Sequence, residues 1–308
     1  MRDVPSDVIR IQEVGMRDGL QSAGQFVETA DKIQLLNQLS KTGLSKIEVT
    51  SFVSPKAVPL LADAEAVLDA IERVPGVVYS ALIPNIRGLE RALAVDLDEV
   101  NVVMSVSNAH NMANLRMTCD DSLNQFREIC ENRGSLKVNG TLATAFGCPF
   151  VGSVDPSMVL EWAKRYLDVG IDSLTLADTV GTATPHQIFG LCQAIIGEFP
   201  EIEVTLHLHN TRGLGIANAL AGIDAGIRHL DASIGGIGGC PYAPGATGNV
   251  CTEDLVHALI FDGYRCDVDL DALFEIARQL DEMLSDRLPG LVRQAGTSLR
   301  THPMSDDL

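Results

Sequence analysis

Two histidines separated by one residue, His207 and His209, are the residues whose types and spacing most directly suggest chemistry. They lie in a short, mostly apolar stretch that runs into a turn at Gly213, which predicts a β-strand. Side chains alternate between the two faces of a strand, so both imidazoles should point the same way. Two imidazole nitrogens on one face are suitable ligands for a divalent metal ion. The alternative is that both histidines face solvent or are hydrogen-bonded in a core, and the short motif alone does not decide between these interpretations.

The composition limits the class of protein that could use such a pair. The chain has 308 residues, is 46% apolar and carries a formal net charge of -18, which argues against nucleic acid or an anionic membrane as a partner. A local group of Arg, helix N-termini and a metal ion could still hold an anionic small molecule. We find no apolar run of membrane-spanning length and no signal-peptide core, so we expect a cytoplasmic protein. The seven cysteines include no Cys-x-x-Cys pair, which predicts reduced core thiols rather than disulfides or a zinc ribbon.

The strands and helices that must position the histidines alternate regularly along the sequence. Short apolar stretches alternate with amphipathic stretches, which is typical of repeated strand-helix units, and Gly43, Gly170 and Gly226 follow helical patterns as C-caps. About eight such units predict an α/β fold, a closed (β/α)8 TIM barrel. No Gly-x-Gly-x-x-Gly opens the first helix, which disfavours a dinucleotide-binding sheet. The predicted strands span residues 8–14, 46–50, 78–83, 99–105, 137–145, 173–177, 203–207 and 229–233.

The regular alternation of predicted strands and helices, together with the composition, also predicts the domain organisation. No linker or low-complexity run divides the chain, so we predict a single catalytic domain over residues 1–308. Its barrel should cover about residues 8–265, and a C-terminal extension over about residues 266–308 should add further helices.

In TIM barrels the active site lies at the C-terminal ends of the strands, so candidate residues should recur just after each strand. Arg17 and Asp18 follow the first predicted strand. Asp18 could supply an oxygen ligand to a metal held by the two histidines, and Arg17 could stabilise developing negative charge nearby. The alternative is an exposed Arg-Asp ion pair in a turn, which contributes little.

Two further carboxylates occupy comparable positions. Glu48 in the second strand lies on the face opposite Val49, and inside a barrel it would need a partner such as Arg17 or a metal ligand. A buried ion pair with a purely structural role is an equal alternative. Asp178 follows the sixth strand and either orients a ligand or caps the next helix.

A glycine-rich loop, residues 235–249, follows the eighth strand. Such a loop suits a lid that closes over substrate, and Cys240 within it could donate or accept a proton if its surroundings tune the thiol. The alternative is a buried, inert thiol. Asn249 ends the loop where a helix is predicted over residues 250–261, and it could serve as a metal ligand or as the N-cap of that helix.

Four blocks of sequence together resemble hydroxymethylglutaryl-CoA lyases, within the wider family of metal-dependent barrels that includes isopropylmalate, citramalate and homocitrate synthases. The similarity runs from about Ile9 to about Leu259. The blocks are Met-Arg-Asp-Gly-Leu-Gln at 16–21, Glu-Val-Thr-Ser-Phe-Val-Ser-Pro at 48–55, Phe-Gly-Cys-Pro-Phe at 146–150, and Gly-Gly-Cys-Pro-Tyr-Ala at 238–243.

The resemblance implies an activity and a set of site residues. It implies cleavage of hydroxymethylglutaryl-CoA, an acyl-CoA substrate, to acetyl-CoA and acetoacetate, by a homodimer or higher homo-oligomer that uses Mg2+ or Mn2+. Arg17 would stabilise the enolate, and Cys240 would transfer a proton. The remaining implied roles are metal ligands at Asp18, His207, His209 and Asn249, support of these ligands by Glu48 and Glu253, and substrate contacts at Arg17, Gln21, Ser107 and Asn114. From their positions at the strand ends, His207, Glu48 and Asp178 are further catalytic candidates.

The chain departs from the lyase pattern at four positions. Asn210 and Arg212 replace an Asp and a Tyr, Met16 replaces a Pro, and Asn108 replaces a Glu. These departures leave open another 3-hydroxy-3-carboxylic acyl-CoA as substrate. The alternatives are a condensing synthase of the citramalate or isopropylmalate type and a non-catalytic barrel that binds metal or acyl-CoA.

Overall fold

The computed structural model describes residues 7–239, 248–284 and 287–298. Eight parallel strands pair in chain order, and β8 pairs with β1, so the sheet closes into a barrel. The predicted (β/α)8 TIM barrel is therefore confirmed. The strands are β1 Arg10–Glu13, β2 Lys46–Ser51, β3 Val78–Leu82, β4 Glu99–Ser105, β5 Lys137–Ala143, β6 Ser173–Asp178, β7 Glu203–Leu208 and β8 His229–Ala232.

Helices connect the strands and continue after the barrel. Asp155 and Thr184 cap two of them, and a Pro follows each cap at the first helical position. The described residues contain no helix with the length and apolar character needed to cross a membrane. The helices are α1 Thr29–Leu39, α2 Ala64–Ala70, α3 Ile86–Leu93, α4 Asn108–Leu115, α5 Cys119–Asn132, α6 Pro156–Asp168, α7 Pro185–Glu198, α8 Gly215–Asp224, α9 Thr252–Phe261 and the C-terminal α10 Leu270–Met283 and α11 Val292–Ala295.

The barrel interior carries many polar side chains, although parallel strands are usually continuous apolar runs. Along each strand, outward aliphatic residues that pack under the helices alternate with inward residues, many of them polar, that line a central cavity of about 890 Å³. The inward groups bond to one another, as buried polar groups must: Lys46 Nζ donates to Glu99 Oε1 at 2.6 Å, and Asn139 Nδ2 donates to Thr175 Oγ1 at 3.0 Å. The interior is therefore a hollow chamber with a mixed lining, in which Leu82 and Val103 face the same cavity as these polar groups, rather than a filled aliphatic core.

A tight turn over Gly15–Gly19 carries Arg17 and Asp18 from β1 to the mouth of the barrel. The backbone N–H of Asp18 donates to the carbonyl of Val14 at 2.7 Å. Glycine is required at Gly19 because a Cβ there would lie 2.4 Å from Cγ1 of Ile237. The sequence thus fixes a turn that packs directly against the segment after β8.

The segment before α9 returns to the same end of the barrel. Asn249 forms an isolated antiparallel bridge with His209, and Cys251 forms a parallel bridge with Ser233. The helix predicted over residues 250–261 begins at Thr252, with Cys251 at the N-cap position. Asn249 is therefore not the cap of this helix, because it lies two residues before the N-cap position.

Candidate metal and active site

Asp18, His207 and His209 form a cluster at the C-terminal end of the barrel. One ligand atom from each of these residues lies within 4.8 Å of the others, and the two histidine Nε2 atoms are 3.2 Å apart. Two ligands at about 2.1 Å from one octahedral cation, at right angles to each other, lie roughly 3 Å apart. The spacing of the two imidazoles therefore fits a shared ion, and both rings lie on one side as the strand alternation predicts.

The protonation states of Asp18 and His209 also suit a cation. Burial raises the pKa of Asp18, but the charges of Arg17, His207 and His209 outweigh it and lower that pKa to about 2. Burial and the neighbouring His207 lower the pKa of His209 to about 4. Near neutral pH, Asp18 is therefore an anion and His209 a neutral imidazole, which are the forms that bind metals.

Asn249 completes the cluster from the segment before α9. Its Nδ2 donates to Asp18 Oδ2 at 2.7 Å and to the carbonyl of Ile237 at 3.2 Å. Its Oδ1 is buried and accepts no hydrogen bond from the described part of the chain. A buried amide oxygen without a donor is costly, and a bound cation would satisfy it. The donor set of carboxylate, amide and imidazole, without thiolate, fits a hard or borderline cation such as Mg2+ or Mn2+.

A second carboxylate, Asp231 on β8, orients His207. The strand register places the two residues opposite each other, and His207 Nδ1 lies 3.1 Å from Asp231 Oδ2. Burial lowers the pKa of His207, but its hydrogen bond to Asp231 and the charges of Asp231 and Asp18 raise it overall. In the neutral ring, a proton held on Nδ1 by Asp231 leaves the Nε2 lone pair facing Asp18 and His209. Sequence reasoning missed Asp231, although its place two residues after His229 puts it on the inward face.

We expect Asp231→Asn to weaken Mn2+ binding by roughly 10- to 100-fold, because outer partners that fix the orientation of a ligating imidazole contribute on that scale. Isothermal titration of the chelator-treated protein with Mn2+ measures the change. Glu203→Gln, which removes a carboxylate near His229 at the opposite end of the strands, is the control and should leave the affinity unchanged. Equal affinities in the wild type and Asp231→Asn would contradict this role.

Arg17 lies beside the cluster and is held by two carboxylates. Its Nη1 donates to Asp18 Oδ1 at 2.5 Å, and its Nε donates to Glu48 Oε2. Glu48 in turn accepts a bond from Asn101 Nδ2 at 2.6 Å. Burial raises the pKa of Glu48 although Arg17 and Asn101 oppose the shift, and the charges of Glu48 and Asp18 overcome burial to raise the pKa of Arg17. Glu48 thus contacts Arg17 rather than the histidines, and it fixes a guanidinium at the wall of the cavity.

The three other predicted substrate contacts fall in two places. Gln21 and Asn114 line the cavity with Arg17. Ser107 does not line it, because its hydroxyl faces the N-terminus of α4, where it accepts a bond from the N–H of His110 at 3.4 Å. Cys148 Sγ also donates to Ser107 Oγ, at 3.3 Å.

Asp178 and Glu253 turn their carboxylates toward backbone N–H groups. Asp178 accepts from Thr182 N at 2.9 Å and from Ala183 N at 3.1 Å, so it shapes the loop before α7 and does not line the cavity. Glu253 accepts from Gly235 N at 2.8 Å, and burial raises the pKa of Glu253 to about 7. Glu253 therefore supports the turn after β8.

Glu13, a residue that sequence reasoning did not assign, joins three segments under the cluster. Its Oε1 accepts from Gly15 N at 2.7 Å and Ile234 N at 2.8 Å, and its Oε2 accepts from Thr252 Oγ1 at 2.7 Å. Burial raises the pKa of Glu13 to about 8. The only sequence signal was its position at the end of β1, next to the turn that carries Arg17.

We expect the free energy of unfolding of Glu13→Gln, relative to wild type, to rise by about 2 kcal/mol between pH 5 and pH 7. The folded-state pKa of Glu13 is raised from 4.5 to about 8, so its contribution is complete below pH 4.5 and is lost as the pH rises toward 8. Gln keeps the hydrogen-bonding shape and has no proton to lose. Urea denaturation at both pH values measures the difference.

The control for this comparison is Glu161→Gln, at an exposed position of α6. Its stability relative to wild type should be the same at pH 5 and pH 7. A constant offset between Glu13→Gln and wild type at both pH values would contradict a protonated, buried Glu13.

The predicted proton donor, Cys240, lies outside the described residues. The six cysteines within them are free thiols, and four of these are buried. This agrees with the expectation of reduced core cysteines for that part of the chain.

Comparison with known proteins matches almost the whole chain. A sequence model of the HMGL-like family matches residues 8–280. The hydroxymethylglutaryl-CoA lyase YngG of Bacillus subtilis is 41% identical over 91% of this chain and 95% of its own length. The (R)-citramalyl-CoA lyase of Chloroflexus aurantiacus is 40% identical over 94% of this chain and 95% of its own.

A solved structure gives the same result for the fold. An HMG-CoA lyase from Acinetobacter baumannii, in complex with coenzyme A and 3-methylmalate, superimposes with a TM-score of 0.93 at 46% identity, covering 97% of this chain and 98% of that one. The sequence match includes all eight strands and every residue of the cluster. The chain belongs to the HMGL-like family and is a carbon–carbon lyase related to the hydroxymethylglutaryl-CoA lyases.

Proposed function

We propose that this protein cleaves hydroxymethylglutaryl-CoA, or a close 3-hydroxyacyl-CoA, to acetyl-CoA and acetoacetate or the corresponding keto acid, with Mg2+ or Mn2+ as cofactor. The observation that carries the proposal is the Asp18, His207 and His209 cluster with Arg17 fixed beside it, facing one cavity. The relatives named hydroxymethylglutaryl-CoA lyase and the related structure with bound coenzyme A support it.

Asp18, His207, His209 and Asn249 would hold the cation. When bound, a divalent cation polarises substrate oxygens and lowers the pKa of a hydroxyl group. Asp231 holds the imidazole of His207 in the orientation that a metal ligand requires. Glu48 keeps the guanidinium of Arg17 at the cavity wall.

The reaction that this arrangement favours is a retro-aldol cleavage. In the substrate, C2 is the carbon next to the thioester and C3 is the carbon that carries the hydroxyl group. A base removes the proton of that hydroxyl, and the C3–O bond becomes a carbonyl. The C2–C3 bond breaks, and its electron pair forms the enolate of the thioester. The guanidinium of Arg17 stabilises that developing negative charge, because its N–H donors are already fixed by two carboxylates and need little reorganisation. Protonation of the enolate carbon yields acetyl-CoA, and the resemblance to hydroxymethylglutaryl-CoA lyases implies that Cys240 would transfer this proton.

A second candidate substrate is citramalyl-CoA. The chain is 40% identical to a citramalyl-CoA lyase and 41% identical to a hydroxymethylglutaryl-CoA lyase, so overall identity does not choose between the acyl groups. Both substrates carry a tertiary hydroxyl and would release acetyl-CoA by the same bond cleavage. The homo-oligomeric state and the cytoplasmic location stay predictions from the sequence.

The test is a cleavage assay of the purified protein with Mg2+ on the two thioesters, with acetyl-CoA and the keto acid measured with and without EDTA. We expect acetyl-CoA and acetoacetate in equal amounts from hydroxymethylglutaryl-CoA, and loss of both on chelation. Release from citramalyl-CoA alone would reassign the substrate and keep the mechanism. No chelator-sensitive release from either thioester would overturn the proposed function.

A further inference from the structure

A second cavity opens at the C-terminal end of the strands, outside the central cavity. It has a volume of about 320 Å³ and shares no lining residue with the central cavity. Its walls come from the loops after β5, β6 and β7 and from the first turn of α7, and we call it the rim pocket. Arg212, which stands where the lyase pattern has a Tyr, lines the rim pocket, and the proposed reaction uses none of the lining residues.

The guanidinium of Arg212 is fixed in place but not neutralised. Its Nη1 donates to the carbonyls of Val180 at 2.8 Å and Gly181 at 3.0 Å. The charge of Arg212 acts on Asp178, but that carboxylate accepts from two backbone N–H groups and does not line the rim pocket. Arg212 makes no salt bridge with any carboxylate in the part of the chain that the structure describes. The N–H groups of its Nε and Nη2 are therefore available to a ligand.

The other polar side chains of the rim pocket can also donate hydrogen bonds. Gln187 uses its Oε1 in the capping box of α7, where it accepts from the N–H and the hydroxyl of Thr184, each at 3.0 Å, so its Nε2 is the end left for a ligand. Ser153 and Thr182 add two hydroxyl groups, and the described lining includes no Asp or Glu. These three side chains and Arg212 are exposed, so a solute can reach them.

The backbone around the rim pocket holds these donors in position. Cys148 and Gly152 form an antiparallel bridge, with N–H···O distances of 2.8 and 2.9 Å, that closes the loop after β5 into a tight turn. A Cβ on Gly147 would lie 2.6 Å from Oγ1 of Thr182, so the loops after β5 and β6 approach this closely only because glycine stands there. The N-terminus of α7, 14 residues long, adds partial positive charge beside Gln187.

We propose that the rim pocket binds a phosphate group, with Arg212 as its main contact. A phosphate group presents acceptor oxygens in several directions, and the planar fork of Arg is suited to bind it with two N–H groups. Donors from three separate loops, without a carboxylate among them, match that distribution of acceptors. The group belongs either to free inorganic phosphate or to the nucleotide end of a CoA thioester, and only the second source rests on the proposed function.

The test is isothermal titration of the Mg2+-loaded protein with inorganic phosphate, at constant ionic strength in a chloride buffer. We expect saturation at one phosphate per chain. Arg212→Gln should weaken the affinity by about 10-fold or more, because it removes charge-assisted hydrogen bonds. Thr182→Val keeps the shape of the side chain and removes one hydroxyl donor, so it should weaken the affinity by about threefold or more. This second variant keeps the test valid if Arg212→Gln does not fold.

Two controls locate the bound phosphate. Arg127→Gln is the matched control, because Arg127 is also exposed, bonds only to Asn124 Oδ1 at 2.9 Å and has no salt bridge to a described carboxylate. It should leave the affinity unchanged. His209→Ala removes a metal ligand of the central cavity and should also leave it unchanged. No saturable binding, equal affinities in wild type and both rim-pocket variants, or loss of binding in His209→Ala would overturn the inference.

Titration with CoA distinguishes the two sources of the phosphate group. If the nucleotide end of CoA occupies the rim pocket, CoA displaces inorganic phosphate, and Arg212→Gln weakens CoA binding by about the same factor as phosphate binding. If free phosphate is the ligand, CoA and phosphate bind together, and Arg212→Gln leaves the CoA affinity unchanged. The phosphate titration needs no turnover, so it stands or fails independently of the release of acetyl-CoA that tests the proposed function.

Discussion

We expect Arg17→Lys to lower kcat for hydroxymethylglutaryl-CoA cleavage by roughly 100- to 1000-fold, the cost of removing one preorganised donor from a developing oxyanion. Lys keeps the positive charge but lacks the planar fork that spans Glu48 and Asp18. The ammonium would therefore settle on one carboxylate and leave the enolate position. Steady-state kinetics at saturating Mg2+ and substrate measure the effect.

Arg91→Lys is the matched control for this variant. Arg91 makes two bonds to Glu65, at 2.6 and 3.0 Å, outside the cavity lining, so its replacement should leave kcat unchanged. Mn2+ titration of Arg17→Lys should show that the cation still binds, which separates loss of enolate stabilisation from loss of the metal. A kcat within about threefold of wild type would rule out the role given to Arg17.

The second large effect is expected for His209→Ala, which should weaken Mn2+ binding by roughly 100-fold or more, since even outer-shell partners of a metal contribute 10- to 100-fold. His209 is 5% exposed, and its Nε2 lies 3.2 Å from that of His207. With Ala at this position, the metal would keep three protein ligands: the imidazole of His207, the carboxylate of Asp18 and the amide oxygen of Asn249. Isothermal titration with Mn2+, and cleavage rates over a range of Mn2+ concentrations, measure both consequences.

His186→Ala is the control for His209→Ala. His186 is exposed on α7, so its removal should alter neither the Mn2+ affinity nor the rate. If His209→Ala bound Mn2+ as tightly as wild type, the cluster would not be the metal site. If it bound Mn2+ weakly and still cleaved substrate at the full rate, the metal would not serve the reaction.

The barrel could be predicted from the sequence because its signals are local. The predicted fourth strand has the observed bounds, Glu99–Ser105, and the other seven differ by one or two residues at their ends. The common face of His207 and His209 follows from strand alternation alone. Polar residues also occupy every second position of some strands, such as Lys46 and Glu48 in β2. This pattern indicates polar side chains inside the barrel, but the prediction of the strands did not use it.

The contacts of the site could not be predicted in the same way, because they join distant segments. Glu13 meets Ile234, 221 residues away, and Asn249 meets Asp18, 231 residues away. The pairing of Asp231 with His207 depends on the register between two strands, which no local pattern determines. Asp178 turns its carboxylate to the N–H groups of its own loop, and residue type does not distinguish that orientation from one toward a ligand.

The central claim is that one divalent cation, held by Asp18, His207, His209 and Asn249, is required for carbon–carbon bond cleavage. The most direct measurement is a Mn2+ titration of the chelator-treated protein, with bound Mn2+ followed by electron paramagnetic resonance and acetyl-CoA release followed in the same samples. We predict that the rate rises in proportion to bound Mn2+ and saturates at one ion per chain. A full rate before any Mn2+ is bound, or a rate that does not follow the bound ion, would contradict the account.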